Sequence, residues 1–260
     1  MQQKTITYQS STIYYRVIGN GKPVMLLHGF GEDGEIWNQQ VNFLQEHYTL
    51  IVPDLPGSGQ SQIITDMSIE GMADAVKAVL DAELLENITL IGHSMGGYIT
   101  LALAEKYPAL IRAFGLFSSS AFADSEEKKA TRLKAIAFIK KNGGYEFLKT
   151  SIPGLFMGEH DAIPALVERA KNFTPEALIY YYRAMIDRPD RTAVLKTFPG
   201  PILFIIGEHD KAVPFDQSLQ QCYLPALSHI HILRNSAHMG MLEETDKANK
   251  ALLEFLQEAT

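Results

Sequence analysis

Gly92-His93-Ser94-Met95-Gly96-Gly97 carries a serine with one glycine two places before it and another two places after. A serine hydroxyl is a poor nucleophile until a base takes its proton. The spacing suits one way of presenting such a hydroxyl. At a very tight turn from strand to helix, small residues on either side let the chains pass. The hydroxyl then points out above the start of the helix, at the carboxyl end of a sheet. The pattern alone is common. Its position, after the apolar run Ile88-Thr89-Leu90-Ile91 and before a helical stretch, makes Ser94 the candidate nucleophile.

The base for such a serine is a histidine, itself oriented by a carboxylate. Eight histidines are available. His238 lies in Asn235-Ser236-Ala237-His238-Met239-Gly240, a loop expected between the last strand and the last helix. Loops at the carboxyl ends of parallel strands open on one edge of the sheet, the edge expected to carry Ser94. His93 adjoins the serine, but the tight turn is expected to aim its ring elsewhere. His47 reads as the end of a surface helix, and His229 and His231 fall on a strand pattern.

The tetrapeptide Gly-Glu-His-Asp occurs twice, at 158–161 and at 207–210. The second copy follows Pro201-Ile202-Leu203-Phe204-Ile205-Ile206, a buried-strand pattern that would deliver Asp210 to the same edge. Glu208 is the local alternative. The first copy follows a stretch broken by Pro153-Gly154 and has no strand to carry it. Asp161 reads there as a helix cap.

These residues need a sheet to hold them. Residues 4 to 18 alternate with period two and read as an exposed hairpin. Residues 23 to 118 then alternate buried apolar strands with amphipathic helices, which implies a parallel sheet covered on both faces. From 119 to 198 the patterns are helical, with almost no strand. Strand and helix return after 199. The fold class is therefore α/β: a mostly parallel, doubly wound sheet of about eight strands. An N-terminal antiparallel hairpin precedes it, and a helical insertion follows the sixth strand. The expected units are residues 1–118 with 199–260 as core, and 119–198 as the insertion.

Composition narrows the function. The 260 residues are 46% hydrophobic and 20% charged, with a net charge of -7. No dense basic block appears, which argues against nucleic acid as a partner. Lys128, Lys129 and Lys134 read as a solvated helix face. The apolar runs are too short to span a bilayer. The single cysteine, Cys222, cannot close an intrachain disulfide. With no signal-like N-terminus, a cytoplasmic protein is expected. No Cys/His cluster offers a metal site, and no cofactor is expected.

The chain order Ser94, Asp210, His238, with the serine on an elbow after a parallel strand, resembles the α/β-hydrolase fold family. The resemblance covers essentially the whole chain. It is carried by LLHGFGEDGEIW, VPDLPGSGQS, GHSMGG, PILFIIGEHDKAVP and SAHMGMLEE. It implies that Ser94 attacks a carbonyl, that His238 takes its proton, and that Asp210 orients His238. It implies an oxyanion hole made by the backbone amides of Phe30 and Met95. It also implies that 119–198 form a helical cap that sets the substrate. His28, Gly29, Phe156, Tyr181 and Met239 are expected to line the substrate site.

The expected activity is a serine hydrolase of small, largely apolar carboxylic esters, working through an acyl-enzyme. An aspartate at the elbow, as in similar dehalogenases and epoxide hydrolases, is absent. Alternatives are a carbon–carbon bond hydrolase, a lyase like the menaquinone-pathway synthase, or a ligand receptor with slow turnover. Tyr98 stands where the synthase has arginine, and Met239 stands where the carbon–carbon hydrolases tend to have tryptophan.

Overall fold

A computed structural model describes residues 1–259; Thr260, the last residue of the expected core, lies outside the described residues. Eight strands form one sheet. They are β1 (Gln2–Tyr8), β2 (Ser11–Gly19), β3 (Lys22–Leu27), β4 (Tyr48–Pro53), β5 (Ile88–His93), β6 (Ile111–Phe117), β7 (Ile202–Gly207) and β8 (Ser228–Leu233). Their order across the sheet is β1-β2-β4-β3-β5-β6-β7-β8. β1 runs antiparallel to β2, and β2 antiparallel to β4. Every pairing from β4 to β8 is parallel.

The strands at the middle of the sheet are apolar on both faces because helices cover both. β5 and β7 are buried along their whole length. The hairpin departs from expectation in one respect. β1 is largely exposed, but Ile13, Tyr14 and Tyr15 of β2 are buried. The cause is the pairing of β2 with β4, which makes it an inner strand.

Helices form where the periodicity places them. Met72, Val76, Val79 and Leu80 face the core from the helix Ile69–Ala82, whose first turn is capped by the Ser68 hydroxyl accepting the Gly71 N–H. The expected final helix is broken into Gly240–Glu243 and Thr245–Ala259. Ala248, Leu252 and Leu256 form its buried stripe.

Among the described residues, the chain between β6 and β7 contains helices and no strand. The two longest are Glu126–Asn142 and Pro175–Asp187. Arg169, which ends the helix Ala162–Arg169, pairs with Asp33 and Glu35 in the loop after β3. Asp161 precedes that helix but makes no side-chain cap; His160 Nδ1 accepts the Ala162 N–H at 3.1 Å instead. No described helix is long and apolar enough to cross a membrane.

Candidate active site

Ser94 sits between β5 and the helix Met95–Lys106 with φ +49° and ψ -115°. A non-glycine residue at positive φ stores strain, and the surroundings must enforce it. Here the enforcement is visible. The Ser94 N–H donates to Phe117 O at 3.0 Å, and the Ser119 hydroxyl donates to Ser94 O at 2.7 Å. A Cβ on Gly96 would lie 2.4 Å from Leu27 O, and one on Gly92 would lie 2.4 Å from Gly96 O. Both glycines are there for close approach. They let the turn press against the end of β3.

Asp210 and His238 come together from loops after β7 and β8. His238 Nδ1 and Asp210 Oδ2 are 2.7 Å apart, and both side chains are buried. Asp210 Oδ1 accepts the N–H groups of Ala212 at 2.7 Å and Val213 at 2.9 Å. The loop that follows β7 therefore fixes the carboxylate before the imidazole does. Burial alone would raise the Asp210 carboxyl. The His238 ring and the two amides outweigh burial and hold it below the usual range. Burial would push the His238 ring down, but the Asp210 carboxylate raises it above its ordinary 6.5. The backbone N–H of His238 donates to Leu155 O at 2.9 Å, so the helical segment also grips this loop.

Ser94 and His238 line one cavity of about 770 Å³, with Phe30, Leu155 and Tyr182 on its apolar side. Phe30 is packed by Tyr182, with ring centroids 4.4 Å apart, and by the edge of Phe147 at 6.3 Å. Gly31, at φ +68°, makes the bend that turns Phe30 toward them. Met95 opens the helix after the serine, where backbone N–H groups have no partner one turn back.

The five residues expected to line the substrate site do not line this cavity. His28 is fully buried, and its Nε2 accepts the Leu55 N–H at 2.8 Å, which ties two loops together. Gly29 donates its N–H to Glu32 at 2.6 Å. Phe156 stacks on His160 at 5.2 Å. Tyr181 points inward, donating to Pro56 O at 2.6 Å and meeting the Ser58 hydroxyl at 2.8 Å. Met239 is packed in the core.

The cavity wall holds a polar cluster instead. Asp124 Oδ2 is 2.5 Å from Arg132 Nε, and Asp124 Oδ1 is 2.9 Å from Arg188 Nη2. The Arg188 guanidinium lies 3.9 Å over the Tyr98 ring. Lys128, expected on a solvated face, also lines the cavity and donates to Ala212 O at 2.8 Å. Arg132 and Asp124 lie in ordinary charged helical surroundings, with no pattern to mark them.

The sheet order, the elbow and the loops at its carboxyl edge are those of the alpha/beta hydrolase fold. A family model described as alpha/beta hydrolase fold matches residues 22–142. Over most of its length the chain is 27% identical to a putative carbamate hydrolase RutD of Pantoea ananatis, covering 94% of this chain and 93% of that protein. It is 26% identical to a 2-hydroxy-6-oxo-6-phenylhexa-2,4-dienoate hydrolase of Comamonas testosteroni, covering 95% and 91%. Among solved structures, a thermophilic esterase from Thermogutta terrifontis with malate bound superposes with a TM-score of 0.89 at 27% identity, covering 100% of this chain and 99% of that one.

Proposed function

We propose that the chain is a serine hydrolase of small carboxylic esters, with Ser94 as nucleophile, His238 as base and Asp210 as the orienting acid. The observation that carries this reading is the buried 2.7 Å pair of His238 and Asp210 beside a strained serine on the same cavity wall. With Nδ1 committed to Asp210, Nε2 is the ring atom left to accept the Ser94 proton. The alkoxide attacks the carbonyl, and the Phe30 and Met95 amides receive the oxyanion. The imidazolium then gives its proton to the leaving alcohol. Water repeats the sequence and frees the acid. Each oxyanion donor contributes about 2.7–4 kcal/mol in the transition state. Residues 119–198 act as the cap, since Leu155, Tyr182 and Arg188 all face the cavity from that segment.

The test is turnover of p-nitrophenyl acetate, butyrate and octanoate. Repeated turnover, with a preference for the shorter chains, is expected. A single burst without turnover would favour the receptor alternative.

The pH dependence has a definite sign. His238 must be neutral to act as base, and its folded value lies above 6.5. Activity should therefore be low in acid and rise with pH through a midpoint above 6.5. A kcat/KM profile already flat at lower pH would contradict His238 as the base.

A second reading of the substrate has its own observation. In the wall cluster, two guanidiniums, Arg132 and Arg188, share the single carboxylate of Asp124. A substrate carrying a carboxylate would complete that pairing. The Comamonas relative is named for a dienoate, and the Thermogutta esterase holds malate. We expect Arg188→Met to raise KM for p-nitrophenyl hemisuccinate about 10-fold while leaving the butyrate ester within about 2-fold. Equal effects on both esters would remove this reading and leave the first untouched.

A further inference from the structure

One buried pair of titratable groups beside Ser94 has no part in the chemistry described so far. Glu32 lies two residues beyond Phe30, in the loop after β3. His93 ends β5, one residue before Ser94. His93 Nδ1 is 3.0 Å from Glu32 Oε2, and His93 Nε2 is 3.1 Å from the backbone carbonyl oxygen of His238. The same Glu32 oxygen accepts the Gly29 N–H at 2.6 Å. The His93 side chain is fully buried and that of Glu32 is nearly so.

The hydrogen bonds decide where the protons lie. A carbonyl oxygen only accepts, so His93 Nε2 carries a hydrogen. An ionised carboxylate only accepts, so Nδ1 carries one as well. A ring that donates at both nitrogens is an imidazolium. His28, close by, shows the contrast. It receives the Leu55 N–H on Nε2 and faces Gly29 O with Nδ1, so a neutral ring satisfies both partners. Burial would raise the Glu32 carboxyl, but the facing His93 ring and the Gly29 amide hold it low. The Glu32 oxygen that faces Nδ1 also accepts the Gly29 N–H at 2.6 Å, as a carboxylate does, and the shared proton therefore sits on the ring.

We propose that Glu32 and His93 form a carboxylate–imidazolium pair that positions the Ser94 site. The pair joins three loops: one bearing Phe30, one bearing Ser94 and one bearing His238. The fit among them is tight. A Cβ on Gly29 would lie 3.0 Å from both Glu32 Oε2 and His93 Nδ1, and 3.1 Å from Ser94 Cβ. A displacement of the pair is therefore passed directly to the nucleophile and to the peptide leading to Phe30. Charge matters as well as shape. Glu32 lines the same cavity as Ser94. A bare carboxylate there would oppose an oxyanion forming on the substrate, and the imidazolium cancels it. The groups facing His93 are Glu32, the His238 ring at 4.8 Å, and the edges of Trp37 and Phe117. His28 and His93 are the charged or titratable neighbours that bear on Glu32. Both members of the pair are positioning residues. The kinetic part of the proposal rests on Ser94 being the nucleophile; the protonation part does not.

The test has two arms. In the first, long-range nitrogen–proton correlation spectra of ¹⁵N-labelled full-length protein are recorded at about pH 7.5. His93 is assigned by the signals lost in His93→Gln. Both ring nitrogens of His93 should appear protonated, and Glu32→Gln should leave one of them bare. In the second, Glu32→Gln should lower kcat for p-nitrophenyl acetate about 10-fold with KM within about 2-fold, because alignment and not binding is damaged. A bare nitrogen on His93 in the unsubstituted protein would overturn the imidazolium assignment. Unchanged kcat in Glu32→Gln would overturn the positioning role. If the protein turns over no ester, the spectra still decide the first point, so failure of the esterase reading is recognised separately.

Discussion

Ser94→Ala is expected to lower kcat for p-nitrophenyl esters by about 10⁴-fold or more while leaving the fold intact. The two halves of that expectation come from different observations. The Ser94 hydroxyl makes no cap hydrogen bond to its helix, so its removal leaves no orphaned partner there. The strained backbone is held by Phe117 O, by Ser119 and by the glycine contacts, none of which needs the hydroxyl. An alanine tolerates φ +49° no worse than a serine does. Thermal unfolding should therefore shift by no more than a few degrees, about what 1 kcal/mol produces in a domain of this size. Activity surviving in a well-folded Ser94→Ala protein would mean that another group attacks the ester.

Asp210→Asn is the second large effect. The amide can still accept the Ala212 and Val213 N–H groups through its oxygen, so the loop after β7 should keep its shape. What faces His238 Nδ1 can then be an amide N–H, which would leave that nitrogen as an acceptor. The proton would move to Nε2, the atom that must be bare to receive the Ser94 proton. The expected loss is about 10⁴-fold in kcat, close to 5 kcal/mol of transition-state stabilisation. The sign of the accompanying pH shift follows from the carboxylate. Asp210 raises the His238 ring, so its replacement should move the acid limb of the residual activity to lower pH. A near-normal rate with the limb unmoved would assign the orienting role elsewhere, Glu208 being the first place to look.

Much of this is legible in the sequence. Apolar runs ending at glycine marked β3, β5 and β7, because buried parallel strands have no polar face to alternate. The two Gly-Glu-His-Asp copies could be separated for the same reason. One follows such a run and the other does not. In the fold, Asp210 meets His238, while His160 stacks on Phe156 and takes the Ala162 N–H.

What failed was the direction of side chains from irregular or helical backbone. Tyr181 and Tyr182 are neighbours on one helix and point different ways. Tyr182 reaches the cavity, whereas Tyr181 turns inward to Pro56 and Ser58. Only packing against the loop after β4 decides that rotation. His28 is expected at the substrate site from the resemblance, yet the Leu55 N–H claims its ring. Asp124, Arg132 and Arg188 meet in the cavity wall, a contact that no spacing could report. Glu32 and His93 lie 61 positions apart in the chain, and their pairing depends on the β3–β5 neighbourhood.

The most direct measurement is covalent labelling. The protein is treated with a p-nitrophenyl alkylphosphonate, which mimics the tetrahedral intermediate and stays on the nucleophile. Intact mass and peptide mapping then locate the adduct. One adduct per chain, on Ser94, with loss of esterase activity in proportion and no adduct in Ser94→Ala, is the expected result. An adduct on a different residue, or none in a protein that hydrolyses esters, would contradict Ser94 as the nucleophile.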